Sequence, residues 1–197
     1  MFALDVNKPS TIYVTFPPLG APRTFNVYDA NGKLYYFRYL DGKTYRIKFN
    51  IPDPGHYTAN VPINIVKIVD VEIPDKYPTL PPAVRDRWKD TTLVYNPDMD
   101  SQTSTPIRIY TATGVIEYGD KFLTYPKPIQ VFLIEHEKGH FFYVDEEACD
   151  MFGLLNFVRK GYSQSQAYYA MLHILNRSRE NVSRIYALFN NIQKLRS

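Results

Sequence analysis

Residues 126–150 read PKPIQVFLIEHEKGHFFYVDEEACD, and this stretch decides how the second half of the chain folds. Pro126 and Pro128 mark a helix start, because a first-turn residue has no use for its N–H. Ile129, Val131, Phe132, Leu133 and Ile134 then supply an apolar body suited to a helix buried under a sheet. Toward its C-terminal end, His136-Glu137-Lys138-Gly139-His140 sets two imidazoles four positions apart on one side of the helix, with a carboxylate beside them. Both rings can reach a single metal ion. Residues 141–144 read as a short connection, and Asp145 as the N-cap of a second helix running to about residue 159. On that helix Glu146 and Asp150 stand one turn apart and share a face.

The string HEKGHFFYVDEEACDMFG at 136–153 resembles gluzincin-type metallopeptidases, in which HExxH is followed on a neighbouring helix by E-x-x-x-D. The resemblance implies zinc as cofactor, His136, His140 and Glu146 as its ligands, and Asp150 as the carboxylate that holds a ligand histidine by its other ring nitrogen. It also implies peptide-bond hydrolysis, with Glu137 taking a proton from the attacking water and passing it to the leaving amine. The five residues between His140 and Glu146 make a shorter gap than in many gluzincins, and Glu147 and Asp150 stay open as alternative third ligands. Residues 107–140 and 161–172 are similar in layout to the small zincin-like proteins of tailed bacteriophages and bacterial mobile elements. That similarity spans residues 105–175. In zincins the strand nearest the metal runs antiparallel to an extended substrate, and by resemblance the hairpin at 107–118 supplies it.

Other residues near this motif have plainer readings. An unpaired carboxylate is costly within an apolar helix, and a catalytic base beside a metal accounts for Glu137 there. Glu147 reads as a solvated acid favoured by the helix dipole, and Cys149 as a small buried residue. His56 falls in a surface turn. His173, on a helix after a capping box, reads as a core or capping residue ahead of a catalytic electrophile. Tyr143 is a candidate donor to an oxyanion, as is any of the other tyrosines.

The first third is strand and turn. Residues 11–16, 24–30, 34–40, 44–51 and 63–73 are rich in β-branched and aromatic side chains, and Asn31-Gly32 and Asp41-Gly42 are hairpin signals between them. Tyr45, Ile47 and Phe49 alternate with Arg46 and Lys48, so one face of that strand is buried and the other wet. Asp53-Pro54-Gly55-His56-Tyr57 resembles the tyrosine corner of immunoglobulin-like sandwiches, without their cysteine pair. A proline-rich strap at 74–82 marks a boundary, a short helix at 82–89 carries Trp88, and 96–105 reads as a loop. Gly161 ends the helix before it, Ser163 and Gln166 form a capping box, and a last helix spans about 178–195 with Ile185, Leu188, Phe189 and Ile192 on its packing face. The expected class is α+β: an immunoglobulin-like β-sandwich at 1–74, then a compact zincin-like domain with a helical C-terminus at 75–197.

Composition sets the outer limits. A chain of 197 residues with 45% hydrophobic content supports real cores, and one cysteine excludes an internal disulfide framework. A net charge of +3 is too weak to argue for nucleic acid, and no apolar run approaches a membrane span. The first five residues lack the basic and apolar regions of a signal peptide, so the expected location is the bacterial host cytoplasm or a phage virion. The partner of an active site is a peptide or protein substrate. Seventeen tyrosines also fit protein partners in a phage assembly, with a catalytically silent zincin-like fold as the alternative function. Tyr28, Tyr35, Phe37 and Tyr39 are the candidates for such a contact surface.

Overall fold

The computed structural model describes residues 2–44, 46–71, 90–175 and 179–194. Among them the fold is mixed α+β, with ten strands and six helices. The chain divides into two compact units, Met1–Pro74 with Val158–Gln166 and Asp75–Phe157 with Ala167–Ser197. The second half therefore does not form one uninterrupted unit. Tyr45, the proline-rich strap at 74–82 and the short helix expected at 82–89 lie outside the described residues.

The first unit holds β1 (Phe2–Val6), β2 (Ser10–Thr15), β3 (Arg23–Tyr28), β4 (Leu34–Leu40), β5 (Arg46–Ile51), β6 (Gly55–Ala59) and β7 (Asn64–Asp70). They form two antiparallel sheets with strand orders β1-β6-β3-β4 and β5-β2-β7. Ile47, Phe49 and Ile51 are buried on β5 while Arg46 and Lys48 are exposed, as their alternation requires. Phe25 meets Phe49 at 5.4 Å and Phe16 at 5.2 Å between ring centroids, and Phe49 stacks on Tyr36 at 5.0 Å, so aromatic rings from both sheets share one core.

Asn31-Gly32 does close a hairpin. Gly32 takes φ +72°, its N–H donates to the Asp29 carbonyl, and Asp29 Oδ1 accepts from Asn31 and Lys33. Asp41-Gly42 does not, although its turn chemistry is the same: Asp41 Oδ1 accepts from the Lys43 and Thr44 N–H groups and Gly42 takes φ +87°. The turn carries the chain from β4, at the edge of one sheet, to β5, at the edge of the other. In a constant-type immunoglobulin domain the first strand pairs with the second and the last with the sixth. Here β1 pairs with β6, β7 with β2, and β4 with β3 rather than β5, so the strand order departs from that pattern.

The tyrosine corner is formed: Tyr57 Oη donates to the Asp53 carbonyl at 2.7 Å. Asp53 Oδ2 also accepts from Tyr35 at 2.7 Å and from Tyr162, which belongs to the returning segment. Burial pushes all three phenols up, Tyr57 to about 12, so each stays a neutral donor. Gln166 adds a bond from Nε2 to the Tyr35 carbonyl. Tyr35 is thereby buried, Phe37 and Tyr28 are half-buried and Tyr39 is exposed, so these four candidates do not form one exposed aromatic surface. Tyr57→Phe is expected to lower unfolding free energy by about 1–3 kcal/mol, because the Asp53 carbonyl loses its donor. Urea denaturation checks it, and an unchanged midpoint removes the corner from the stability of this unit.

The second unit holds β8 (Thr92–Tyr95), α1 (Met99–Gln102), β9 (Ile107–Tyr110), β10 (Val115–Tyr118), α2 (Asp120–Thr124) and α3 (Lys127–Gly139). It continues with α4 (Glu146–Arg159), α5 (Gln164–Ile174) and α6 (Arg179–Lys194), except for the stretch Val158–Gln166. The sheet order is β8-β10-β9, with β8 parallel and β9 antiparallel to β10. Residues 96–105 are not all loop: fully buried Met99 anchors one helical turn there. Gly161 at φ +91° ends α4, and the capping box holds, with Ser163 N donating to Gln166 Oε1 at 2.9 Å and Gln166 N to Ser163 Oγ at 3.3 Å. Among the described residues no helix is long and apolar enough to cross a membrane.

Candidate metal centre

Helix α3 starts where its prolines allow. Pro126 stands at the N-cap, Pro128 falls in the first turn, and the Ile129 and Gln130 N–H groups donate to the Pro126 carbonyl. Ile129, Phe132 and Leu133 are buried, and α3 lies against β9. Phe132 meets Phe157 of α4 edge-on at 5.7 Å. Asp145 caps α4 as its position predicts, with Oδ2 accepting from Ala148 N at 2.8 Å.

Two glycines let α3 and α4 come close. A Cβ at Gly139 would lie 2.9 Å from Cys149 Cα, and one at Gly153 would lie 3.1 Å from His136 N. This approach brings the acidic turn of α4 onto the two imidazoles. Gly139→Ala must push the helices apart, and is expected to cost about 1–3 kcal/mol and to weaken any metal bound there. Thermal melting and metal titration check both, and unchanged values would show that the close crossing is not needed.

The two histidine rings lie 5.1 Å apart between centroids. His136 Nε2 is 3.5 Å from Glu146 Oε2, and His140 Nε2 is 3.7 Å from Glu146 Oε1. Donors at 2.0–2.2 Å around a tetrahedral ion stand about 3.4 Å apart. Glu146 thus meets each ring with a different oxygen at close to that spacing, while the group whose ligand atoms all lie within 4.8 Å of one another among the described residues is His136, Glu137 and His140. Glu137 also offers a carboxylate oxygen within 4.8 Å of both imidazoles, so two carboxylates flank the same pair of rings. Its Oε2 accepts from Ile109 N at 2.9 Å, which ties it to β9. Glu147 is exposed. Asp150, 2% exposed, points to the far side of His136, with Oδ1 2.8 Å from Nδ1. A carboxylate there favours the tautomer that keeps its proton on Nδ1, which leaves the Nε2 lone pair facing Glu146.

The electrostatics follow the packing. Burial pushes the Glu137 carboxyl up to about 7, against the opposing pull of His136 and the Ile109 N–H. For His136, burial disfavours the charged ring, but the Asp150 hydrogen bond and charge outweigh it and hold the pKa above the ordinary value. Burial and the neighbouring His136 hold His140 below it. Asp150 resists burial through its bonds to His136 and Arg184 and stays below the usual carboxylate range. Cys149 is fully buried, with Sγ 3.3 Å from His140 Nδ1, and burial pushes its thiol up to about 12. It acts as the soft neighbour of His140 rather than as a free nucleophile.

A cavity of about 560 Å³ opens over these groups, bounded on one side by Ile107, Arg108 and Ile109 of β9. β9 is the edge strand of its sheet, and three of its residues line the cavity. Tyr143 is the one tyrosine lining it among the described residues. His173 is exposed between Tyr125 and Tyr169 and does not line it. His56 pairs with Asp5 at 2.7 Å in the first unit.

Two charged residues escaped the sequence reading. Glu135 is buried in α3 and paired with Lys138 at 3.1 Å. Arg184 of α6 reaches Asp150 with Nε and Nη2, each at 2.9 Å, and Glu146 with Nη2 at 3.0 Å. A signal for it was present: Arg184 stands at i with buried Leu188 and Ile192 at i+4 and i+8, and a cation on a packing stripe needs a buried partner. No protein-family model, curated protein or solved structure matches the chain, so its function rests on the chemistry of this site.

Proposed function

We propose that the second unit is a gluzincin-type zinc peptidase, in which His136, His140 and Glu146 hold zinc and Glu137 is the general base. The observation that carries this reading is the placement of both Nε2 atoms within 3.7 Å of the Glu146 carboxylate, with Asp150 on the other nitrogen of His136. Zinc bound there supplies Lewis acidity toward a peptide carbonyl and acidifies water. Glu137, fixed by the Ile109 N–H, receives the proton of the attacking water and returns it to the leaving amine. The edge strand β9 offers backbone groups other than the Ile109 N–H, which Glu137 takes, to an extended peptide, and Tyr143 offers a hydroxyl at the cavity wall. We read the first unit as an immunoglobulin-like sandwich with an altered strand order, on the strength of its tyrosine corner.

The setting that fits the resemblance is a tailed phage or bacterial mobile element. A silent structural role in a virion is the second reading, favoured by Tyr39 at 67% exposure and by the exposed Ile65, Val66 and Ile68 of β7. Metal analysis of the purified protein, followed by incubation with a mixed peptide library, tests the enzyme. One zinc per chain and discrete cleavage are expected. Zinc without cleavage supports the structural role, and absence of zinc overturns the peptidase.

A further inference from the structure

The guanidinium of Arg184 is committed to the two carboxylates that surround His136. Nε and Nη2 meet Asp150 Oδ2 and Oδ1 at 2.9 Å each, and Nη2 lies 3.0 Å from Glu146 Oε2. Asp150 Oδ1 is the same atom that lies 2.8 Å from His136 Nδ1. Three helices therefore converge on one charge cluster: α3 through His136, α4 through Glu146 and Asp150, and α6 through Arg184. The Asp150 and Arg184 side chains are only 3% and 13% exposed, so water cannot readily replace either partner. Arg184 shares its face of α6 with buried Leu188 and Ile192, so the ion pairs and the apolar contacts form or break together.

We propose that Arg184 is a positioning residue that couples metal binding to the docking of the C-terminal helix α6, an inference that rests on the zinc reading above. Docked, Arg184 orients the Glu146 carboxylate toward the imidazoles and keeps Asp150 turned to His136 Nδ1. Undocked, α6 leaves two like charges on adjacent turns of α4 with no cation between them, and the carboxylates lose the geometry the ion needs. A lysine would meet only part of this task, because a point charge cannot fork across two carboxylates. Coupling of this kind is reciprocal: whatever α6 docking adds to zinc affinity, zinc adds to α6 docking.

The experiment uses the full chain and zinc itself. Zinc affinity is measured by competition with a chromophoric chelator for the wild type, Arg184→Met, Arg184→Lys and Leu188→Ala, and hydrogen exchange of the α6 amides is followed with and without zinc. Arg184→Met is expected to weaken zinc by roughly 10- to 100-fold, the range for groups that support a metal ligand. Arg184→Lys should recover part of that loss, and zinc should raise α6 protection in the wild type but not in Arg184→Met. Equal affinity in wild type and Arg184→Met, or α6 protection indifferent to zinc in the wild type, overturns the coupling and leaves the zinc site standing. If Arg184→Met does not fold, Leu188→Ala decides: weaker zinc binding supports the coupling and wild-type affinity overturns it. A wild type that binds no zinc overturns the underlying reading instead, and the first titration alone shows which has failed.

Discussion

Glu137→Gln is expected to keep the fold and the zinc of this chain while lowering its peptidase turnover on the order of a hundredfold or more. The amide is nearly isosteric with the carboxylate, and its oxygen can still accept the Ile109 N–H that now bonds Glu137 Oε2 at 2.9 Å. The local packing of α3 against β9 therefore has no reason to change. What disappears is the ability to take up a proton, because the amide nitrogen's lone pair is delocalised into the carbonyl and neither atom of a neutral amide is basic near neutral pH. Zinc content, thermal melting and cleavage of a fluorogenic peptide separate these effects. Equal rates in both proteins remove Glu137 from the mechanism. A loss of zinc along with activity would instead make Glu137 a ligand, a role its distance from the two imidazoles also permits.

The parts of this site that were legible in the sequence are the ones fixed over a few residues. Helical spacing sets His136 and His140 on one side, Asp145 finds its cap partner three positions on, and the Ser163–Gln166 box closes within one turn. The parts that were not legible depend on contacts far along the chain. Arg184 meets Asp150 across 34 positions, and Tyr162 meets Asp53 across 109, which is what draws Val158–Gln166 into the first unit. No local pattern encodes either partner. Turn chemistry is similarly silent on where the next strand goes: Asn31-Gly32 and Asp41-Gly42 look alike, yet one closes a hairpin and the other changes sheets. Strand β8 was missed because all four of its residues are exposed, so it lacks the alternation that marks a half-buried strand.

Removing a ligand is expected to have the largest effect of all, and it discriminates among the three acids of α4. Structural zinc sites gain roughly 10–16 kcal/mol from their whole ligand set, so losing one of three protein ligands should weaken binding on the order of a thousandfold. His136→Ala, His140→Ala and Glu146→Ala should each do so. Glu147→Ala should do nothing measurable, because that side chain is exposed while Glu146 faces both imidazoles at 3.5 and 3.7 Å. The same loss shows in stability: zinc at about a thousand times its dissociation constant protects the wild type by about 4.1 kcal/mol, and the three ligand variants forfeit most of that. Asp150→Asn should behave differently from all of them. It keeps the size of the side chain but removes the charge that pairs with Arg184 and lies 2.8 Å from His136 Nδ1, so zinc should weaken by roughly 10- to 100-fold without being abolished. Melting curves with and without zinc rank the variants. If Asp150→Asn abolishes zinc and Glu146→Ala retains it, the third ligand is Asp150, and the two carboxylates exchange their roles.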